Sequence, residues 1–194
     1  FYKNKKIVIT GVTGFKGAWL CQILRNFNSK ILGIGYKPNK NQNLFNQLNI
    51  ANEISLKYTD IRNYKKLNKI IKAFKPQIIF HLAAQPIIFQ SYLDPVSTIN
   101  INSVGTLNLI DISKNLESLK SVVCVTSDKC YANNFSTKGF KETDQLGGAD
   151  PYSASKASAE IIVNAYKESY FKKKKIGLAT ARAGNVIGGG DWSP

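Results

Sequence analysis

No uninterrupted apolar run in this sequence reaches the roughly 20 residues that a membrane-spanning helix requires, and its first residues lack the apolar stretch of a signal peptide. A soluble, cytoplasmic protein with no membrane partner is expected. Histidine is nearly missing, with His81 alone, and the 3 cysteines, Cys21, Cys124 and Cys130, form no CxxC pair. That inventory argues against both a zinc site and a disulfide framework, so no metal is expected. The cysteines fall on a predicted helix, inside an apolar strand and just past that strand's end, positions for small buried hydrophobes. Arginine is scarce as well. The net charge of +15 is almost all lysine scattered along the chain, with only Arg25, Arg62 and Arg182 for guanidinium recognition. No basic stripe interleaved with aromatics appears, so no nucleic-acid partner is expected. The one dense run, residues 172–175, reads as a solvated turn after a helix that ends near Phe171, where cations complement the helix dipole. The general positive field favours an anionic substrate.

With 194 residues, 43% of them hydrophobic, the chain can bury one core of ordinary domain size. Residues 5–10 (KKIVIT) form a β-branched run, followed by a glycine-rich turn and a predicted helix with apolar Leu20, Ile23, Leu24 and Phe27. Residues 30–36 and 54–58 give the second and third strands, separated by a polar, Asn-rich excursion over residues 38–52 that reads as irregular. Leu67, Ile70, Ile71 and Phe74 mark the buried stripe of the next helix. Residues 77–82 and 121–125 are short apolar runs of the kind buried on both faces of a parallel sheet. Long helices are predicted over 95–115 and 151–171, and a last strand over 176–181. Strands alternating with helices at this spacing predict an α/β fold, a Rossmann-type doubly wound parallel sheet. The chain opens on Phe1 and closes soon after a strand and a glycine-rich loop. Residues 1–194 are therefore expected to be a single dinucleotide-binding domain truncated before a C-terminal substrate domain.

Gly11, Gly14 and Gly17 stand in GVTGFKG directly after the first strand and at the start of the first helix. Absent side chains let backbone approach a pyrophosphate, and a helix N-terminus presents N–H groups to it. The spacing is GxxGxxG. An acid is also missing: residues 34–40 (IGYKPNK) end the second strand without the carboxylate that holds an adenosine ribose, and Lys37 could pair with a 2′-phosphate. Local chemistry thus leaves NAD and NADP both open.

Tyr152 and Lys156 (YSASK) lie four apart on a predicted helix and project from one face. A tyrosine serves as base when its phenolate is favoured, which an adjacent ammonium achieves. Thr126, Ser127, Asp128 and Lys129 end the fifth strand, at the carboxyl edge where open parallel sheets bind ligands. Ser127 there would hydrogen-bond a reacting hydroxyl beside Tyr152. His81 reads as a strand-end residue lining the cleft rather than a catalyst.

GVTGFKGAWL, FHLAAQP, VTSDKCYANN, GGADPYSASKASAE and ARAGNVIGGGDW together resemble the CDP-glucose 4,6-dehydratase group of the extended short-chain dehydrogenases, the NAD-dependent epimerase/dehydratase family. The resemblance runs through essentially the whole chain; TSDK with AGNVIGGGDW is its most specific part. It implies NAD as cofactor, held by Gly11, Thr13, Gly14, Phe15, Lys16, Gly17, Asp60, Ile61, Leu82, Ala83, Ala84, Tyr152 and Lys156, with Asp60 on the adenine amino group. It implies a nucleotide-sugar substrate, CDP-glucose, touched by Gln85, Ser91 and Asn185, and catalysis by Ser127, Asp128, Lys129, Tyr152 and Lys156. Related sugar-nucleotide dehydratases carry Asp-Glu where this chain has Asp128-Lys129, and a lysine must be neutral to act as base; the pair is assigned to the acid and base steps jointly. The resemblance further implies a homodimer through the helices starting near Pro95 and Pro151. Two alternatives stand beside it: another nucleotide-sugar 4,6-dehydratase or epimerase, and a catalytically silent NAD-binding module.

Overall fold

The computed structural model describes residues 1–38, 44–132 and 139–191; the expectations that fall on residues 39–43, on the end of VTSDKCYANN and on the end of GGGDW lie outside them. Six parallel strands, β1 (Lys6–Thr10), β2 (Lys30–Gly35), β3 (Ser55–Tyr58), β4 (Ile78–His81), β5 (Ser121–Val125) and β6 (Gly177–Ala181), form one sheet in the order β3-β2-β1-β4-β5-β6. The chain winds outward from β1 in both directions. Ile9 is aligned with Gly33 on one side and Phe80 on the other.

Alternation along the strands supplies both faces with core. Val8, Leu32, Ile79, Val122 and Cys124 pack on one face, against Leu67 and Ile71 of helix α3 (Tyr64–Phe74) and against Leu109, Ile110 and Val163. Ile7, Ile9, Ile31 and Ile78 pack on the other, under Ala18, Cys21 and Leu24 of helix α1 (Phe15–Arg25). The strands read from sequence recur to within one residue at each end.

Helix α1 buries Gly17, Ala18, Cys21 and Leu24, whereas Ile23 is 54% and Phe27, beyond its end, 45% exposed. Its small residues let the helix lie close to the glycine turn, and that rotates the larger ones outward. The excursion after β2 is not irregular throughout: helix α2 (Leu44–Gln47) and a 3₁₀ turn (Ile50–Asn52) follow its undescribed part, with Phe45 and Ile50 fully buried under α1. The predicted 151–171 helix runs as α7 (Pro151–Tyr166), a π-turn (Lys167–Phe171) and a last turn α8 (Lys172–Lys174). Lys172–Lys174 therefore belong to the helix, which Lys175 closes in the left-handed conformation at φ 55°. The helical stretch from Ile88 comprises α4 (Ile88–Leu93), α5 (Pro95–Ile99), a π-turn (Asn100–Val104) and α6 (Gly105–Ser113).

All three cysteines are free and buried. Burial pushes the Cys21 and Cys130 thiols up to about 11 and that of Cys124 to about 12, so none is a nucleophile at neutral pH. Among the described residues, no helix is long and apolar enough to cross a membrane, and no group of acids, histidines and cysteines could hold a metal ion.

Candidate active site

Because all six strands run the same way, their carboxyl ends share one edge, and a cleft of about 960 Å³ opens along it. Its walls include Gly11, Thr13, Gly14, Phe15, Lys16 and Gly17 from the glycine turn, Ile61 beyond β3, and Leu82, Ala83, Ala84 and Gln85 beyond β4. Ser127, Asp128, Lys129, Tyr152, Lys156 and Asn185 line it from the other end.

The three glycines of the turn serve different purposes. Gly11 has φ +71°, and a Cβ there would stand 2.6 Å from the Ala83 nitrogen. A Cβ on Gly17 would stand 2.1 Å from the Gly11 carbonyl oxygen. Gly14, the N-cap of α1, would meet only that oxygen at 3.4 Å. The chain's own packing accounts for Gly11 and Gly17, and leaves room beside Gly14 at the N-terminus of α1.

Helix α7 begins where Asp150 accepts from the Ser153 backbone N–H at 2.9 Å and from its hydroxyl at 2.6 Å, with Pro151 in the first turn. That start aims Tyr152 and Lys156 at the ends of β4 and β5. Both are buried, and the Lys156 Nζ lies 5.9 Å from the Tyr152 ring centre. Burial, followed by repulsion from Lys16, lowers Lys156 to about 8. Burial also raises the Tyr152 phenol, against a hydrogen bond with Ser127 that favours the phenolate. The Ser127 hydroxyl donates to Asp128 Oδ1 at 3.1 Å and accepts from the Lys129 N–H at 3.2 Å. Lys129 Nζ pairs with Asp128 Oδ2 at 2.9 Å, at the open side of the cleft.

Other expected residues stand elsewhere. His81 does not line the cleft: it is 3% exposed, between Thr10 (Nδ1 to Oγ1, 2.6 Å) and Thr106 (Nε2 to Oγ1, 3.0 Å). The Thr106 hydroxyl donates to the Asn102 carbonyl, so Nε2 carries the proton and Nδ1 accepts from Thr10. Burial lowers His81 to about 3 and keeps it neutral. Ser91 is fully buried and donates to the Ile88 carbonyl at 2.6 Å, away from the cleft. Gln85 lines the cleft, but its amide donates to the Ile87 carbonyl at 3.0 Å and to Thr98 Oγ1 at 2.9 Å, which fixes the loop leading into α4. Asp60 sits beside the cleft, bound by the Arg62 guanidinium at 2.7 Å and by its backbone N–H at 2.8 Å. Burial pushes the Asp60 carboxyl up, but the Arg62 and Tyr36 hydrogen bonds outweigh it and hold the group below the usual carboxylate range. Asp60, two residues beyond β3, thus stands as a carboxylate next to Tyr36 at the end of β2.

Sequence reasoning placed Thr126 at the end of the fifth strand but passed over Glu160, which joins Thr126 and Arg182 one turn beyond Lys156 on α7. A signal was present: Glu160 continues the spacing of Tyr152 and Lys156 by one further turn.

A family model described as GDP-mannose 4,6 dehydratase matches residues 8–181. A CDP-glucose 4,6-dehydratase from Salmonella typhimurium is 40% identical over 198 aligned residues, spanning 100% of this chain and 55% of that protein. A solved UDP-N-acetylglucosamine 4-epimerase from Methanobrevibacter ruminantium is 29% identical, with a TM-score of 0.73 over 87% of this chain and 52% of that one. A dTDP-glucose 4,6-dehydratase from Streptomyces venezuelae, solved with NAD bound, shares the fold at 21% identity, TM-score 0.74, over 84% of this chain and 52% of that one. The chain spans about half the length of these relatives.

Proposed function

The chain belongs to the GDP-mannose 4,6-dehydratase family, and from that premise we propose that the protein dehydrates a nucleotide sugar, CDP-glucose, at C4 to C6 with NAD as a resident redox cofactor. One observation carries the reading: Ser127, Tyr152 and Lys156 meet an Asp128–Lys129 pair in the cleft that begins at the glycine turn. The cleft fits the cofactor, since Gly14 leaves the N-terminus of α1 clear for a pyrophosphate and Lys16 adds a cation beside it. NAD would accept hydride from the sugar and return it, with no net redox change.

Tyr152 takes the proton of the 4-hydroxyl, with Ser127 hydrogen-bonded to the same oxygen and Lys156 holding the phenolate form within reach. The 4-ketone that follows acidifies the hydrogen on C5. The Asp128–Lys129 pair serves the next step as a unit. Moving one proton across their 2.9 Å contact leaves a neutral amine and a carboxylic acid together. One partner then removes the C5 proton while the other protonates the departing C6 hydroxyl, and one water is lost. An epimerase needs neither group, so this pair favours dehydration. The 40% identical relative favours the cytidine nucleotide. The base itself is assigned to a substrate domain outside these residues.

Incubating the natural full-length protein with NAD⁺ and, separately, CDP-, dTDP-, GDP- and UDP-sugars is expected to remove one water from CDP-glucose alone, read as product mass. Loss from another nucleotide sugar instead would move the substrate and keep the chemistry. Unchanged mass with every sugar would reject dehydration, and isomer analysis would then test for an epimerase.

The same protein is proposed to be a homodimer through the helices that start at Pro95 and Pro151. Apolar side chains on them, Val96 (70% exposed), Val104 (40%) and Ile161 (60%), support this. Sedimentation is expected to give twice the chain mass; a monomer at high concentration refutes it.

A further inference from the structure

Glu160 is the one acidic side chain buried among the described residues, at 4% exposure, and the chemistry above makes no use of it. It lies one helical turn beyond Lys156 and two beyond Tyr152, on the same face of α7. One carboxylate oxygen accepts from the Thr126 hydroxyl. The other accepts from the Thr180 hydroxyl and from Arg182 Nη2, each at 2.9 Å. Arg182 in turn lies 4.8 Å from the Tyr131 ring centre and donates to the Glu142 carbonyl at 3.1 Å. A single carboxylate thereby joins α7, the end of β5, strand β6 and, through Arg182, Tyr131 and Glu142. Stability is a weak reason for such a group, because desolvating an ion pair costs about as much as its attraction returns.

We infer that Glu160 is a positioning residue: through Thr126 it holds Ser127 and Asp128 at the height of the Tyr152 phenol, and one turn along the same face its carboxylate favours the Lys156 ammonium. The inference rests on the dehydratase reading. Lys156 is faced by Lys16 from α1, His81 from β4, Cys124 from β5 and Cys130 from the 3₁₀ turn after β5. Glu160, the smallest of these influences and itself paired with Arg182, opposes the loss of the ammonium proton. Thr126 is the residue immediately before Ser127, so its hydrogen bond to Glu160 fixes the backbone from which Ser127 projects.

The test compares the pH dependence of kcat for full-length wild type, Glu160→Gln and Thr126→Val, each confirmed folded by circular dichroism. Glu160→Gln is expected to move the limb that Lys156 contributes to lower pH, since a neutral amide no longer favours the ammonium. Thr126→Val is expected to leave that limb in place and lower kcat about tenfold with KM unchanged, short of the roughly hundredfold that a 1 Å misplacement can cost. An unmoved limb in the first variant, or an unchanged kcat in the second, overturns the inference. Should Glu160→Gln fail to fold, Thr126→Val, which leaves the Glu160–Arg182 ion pair in place, decides the inference by its kcat. If wild type turns over no nucleotide sugar, the dehydratase reading has failed on its own. The charge on Lys156 is then read from the pH dependence of NAD⁺ binding, where the same downward shift is expected for Glu160→Gln.

Discussion

Tyr152→Phe in the full-length protein is expected to lower kcat by about 10³-fold, within the range that one positioned acid–base group supplies, while NAD binding persists. The substitution removes one oxygen. The ring stays in place, 8% exposed and packed beside Lys156, and what disappears is the proton acceptor and its hydrogen bond to Ser127. The pH dependence carries the same signature. Tyr152 must lose a proton to act, which burial opposes, and Lys156 must keep its proton to favour the phenolate, which burial also opposes, lowering it to about 8. The rate therefore rises and then falls with pH, and the two limbs belong to the pair. Lys156→Met removes one of the two titrating groups and is expected to leave a profile that only rises with pH, through the Tyr152 ionisation. A kcat/KM profile of the three proteins checks both limbs; a Tyr152→Phe variant with near wild-type turnover would remove Tyr152 from the chemistry.

Gly17→Ala is expected to be the most damaging single methyl in the chain. Its Cβ would lie 2.1 Å from the Gly11 carbonyl oxygen and 2.8 Å from both the Gly11 carbonyl carbon and the Val12 Cα. These are backbone atoms, so no rotamer change relieves the clash, and the turn must open or α1 must move off it. The cost is expected to reach or exceed the roughly 3 kcal/mol upper range of ordinary overpacking, a fall in Tm of about 6–12 °C for a domain of this size, with NAD binding lost. Gly14→Ala supplies the contrast. Its Cβ meets only the Gly11 oxygen, at 3.4 Å, so the variant is expected to melt close to wild type yet lose NAD, because the methyl occupies the approach to the helix N-terminus. Calorimetry and NAD⁺ titration of the two variants separate packing from ligand approach. Equal melting of Gly17→Ala and wild type would refute the turn geometry.

What the sequence determined by itself was whatever depends on neighbours along the chain. Alternation and apolar runs specified the six strands, because a strand between two covered faces must be apolar on both. GVTGFKG placed a tight turn before a helix, and YSASK put Tyr152 and Lys156 on one helical face. Even the undemanding reading of the cysteines followed from local pattern. The tertiary structure decided how charges and polar atoms were partnered, since their partners are distant in sequence. Glu160 meets Thr126 and Arg182 only because β5 and β6 pair beside α7. Asp60 stands beside Tyr36 because β3 aligns with β2. His81 and Ser91 looked available as isolated letters. Packing buried both and satisfied their polar atoms inside the fold, because a polar group taken out of water must find its hydrogen bonds within the chain.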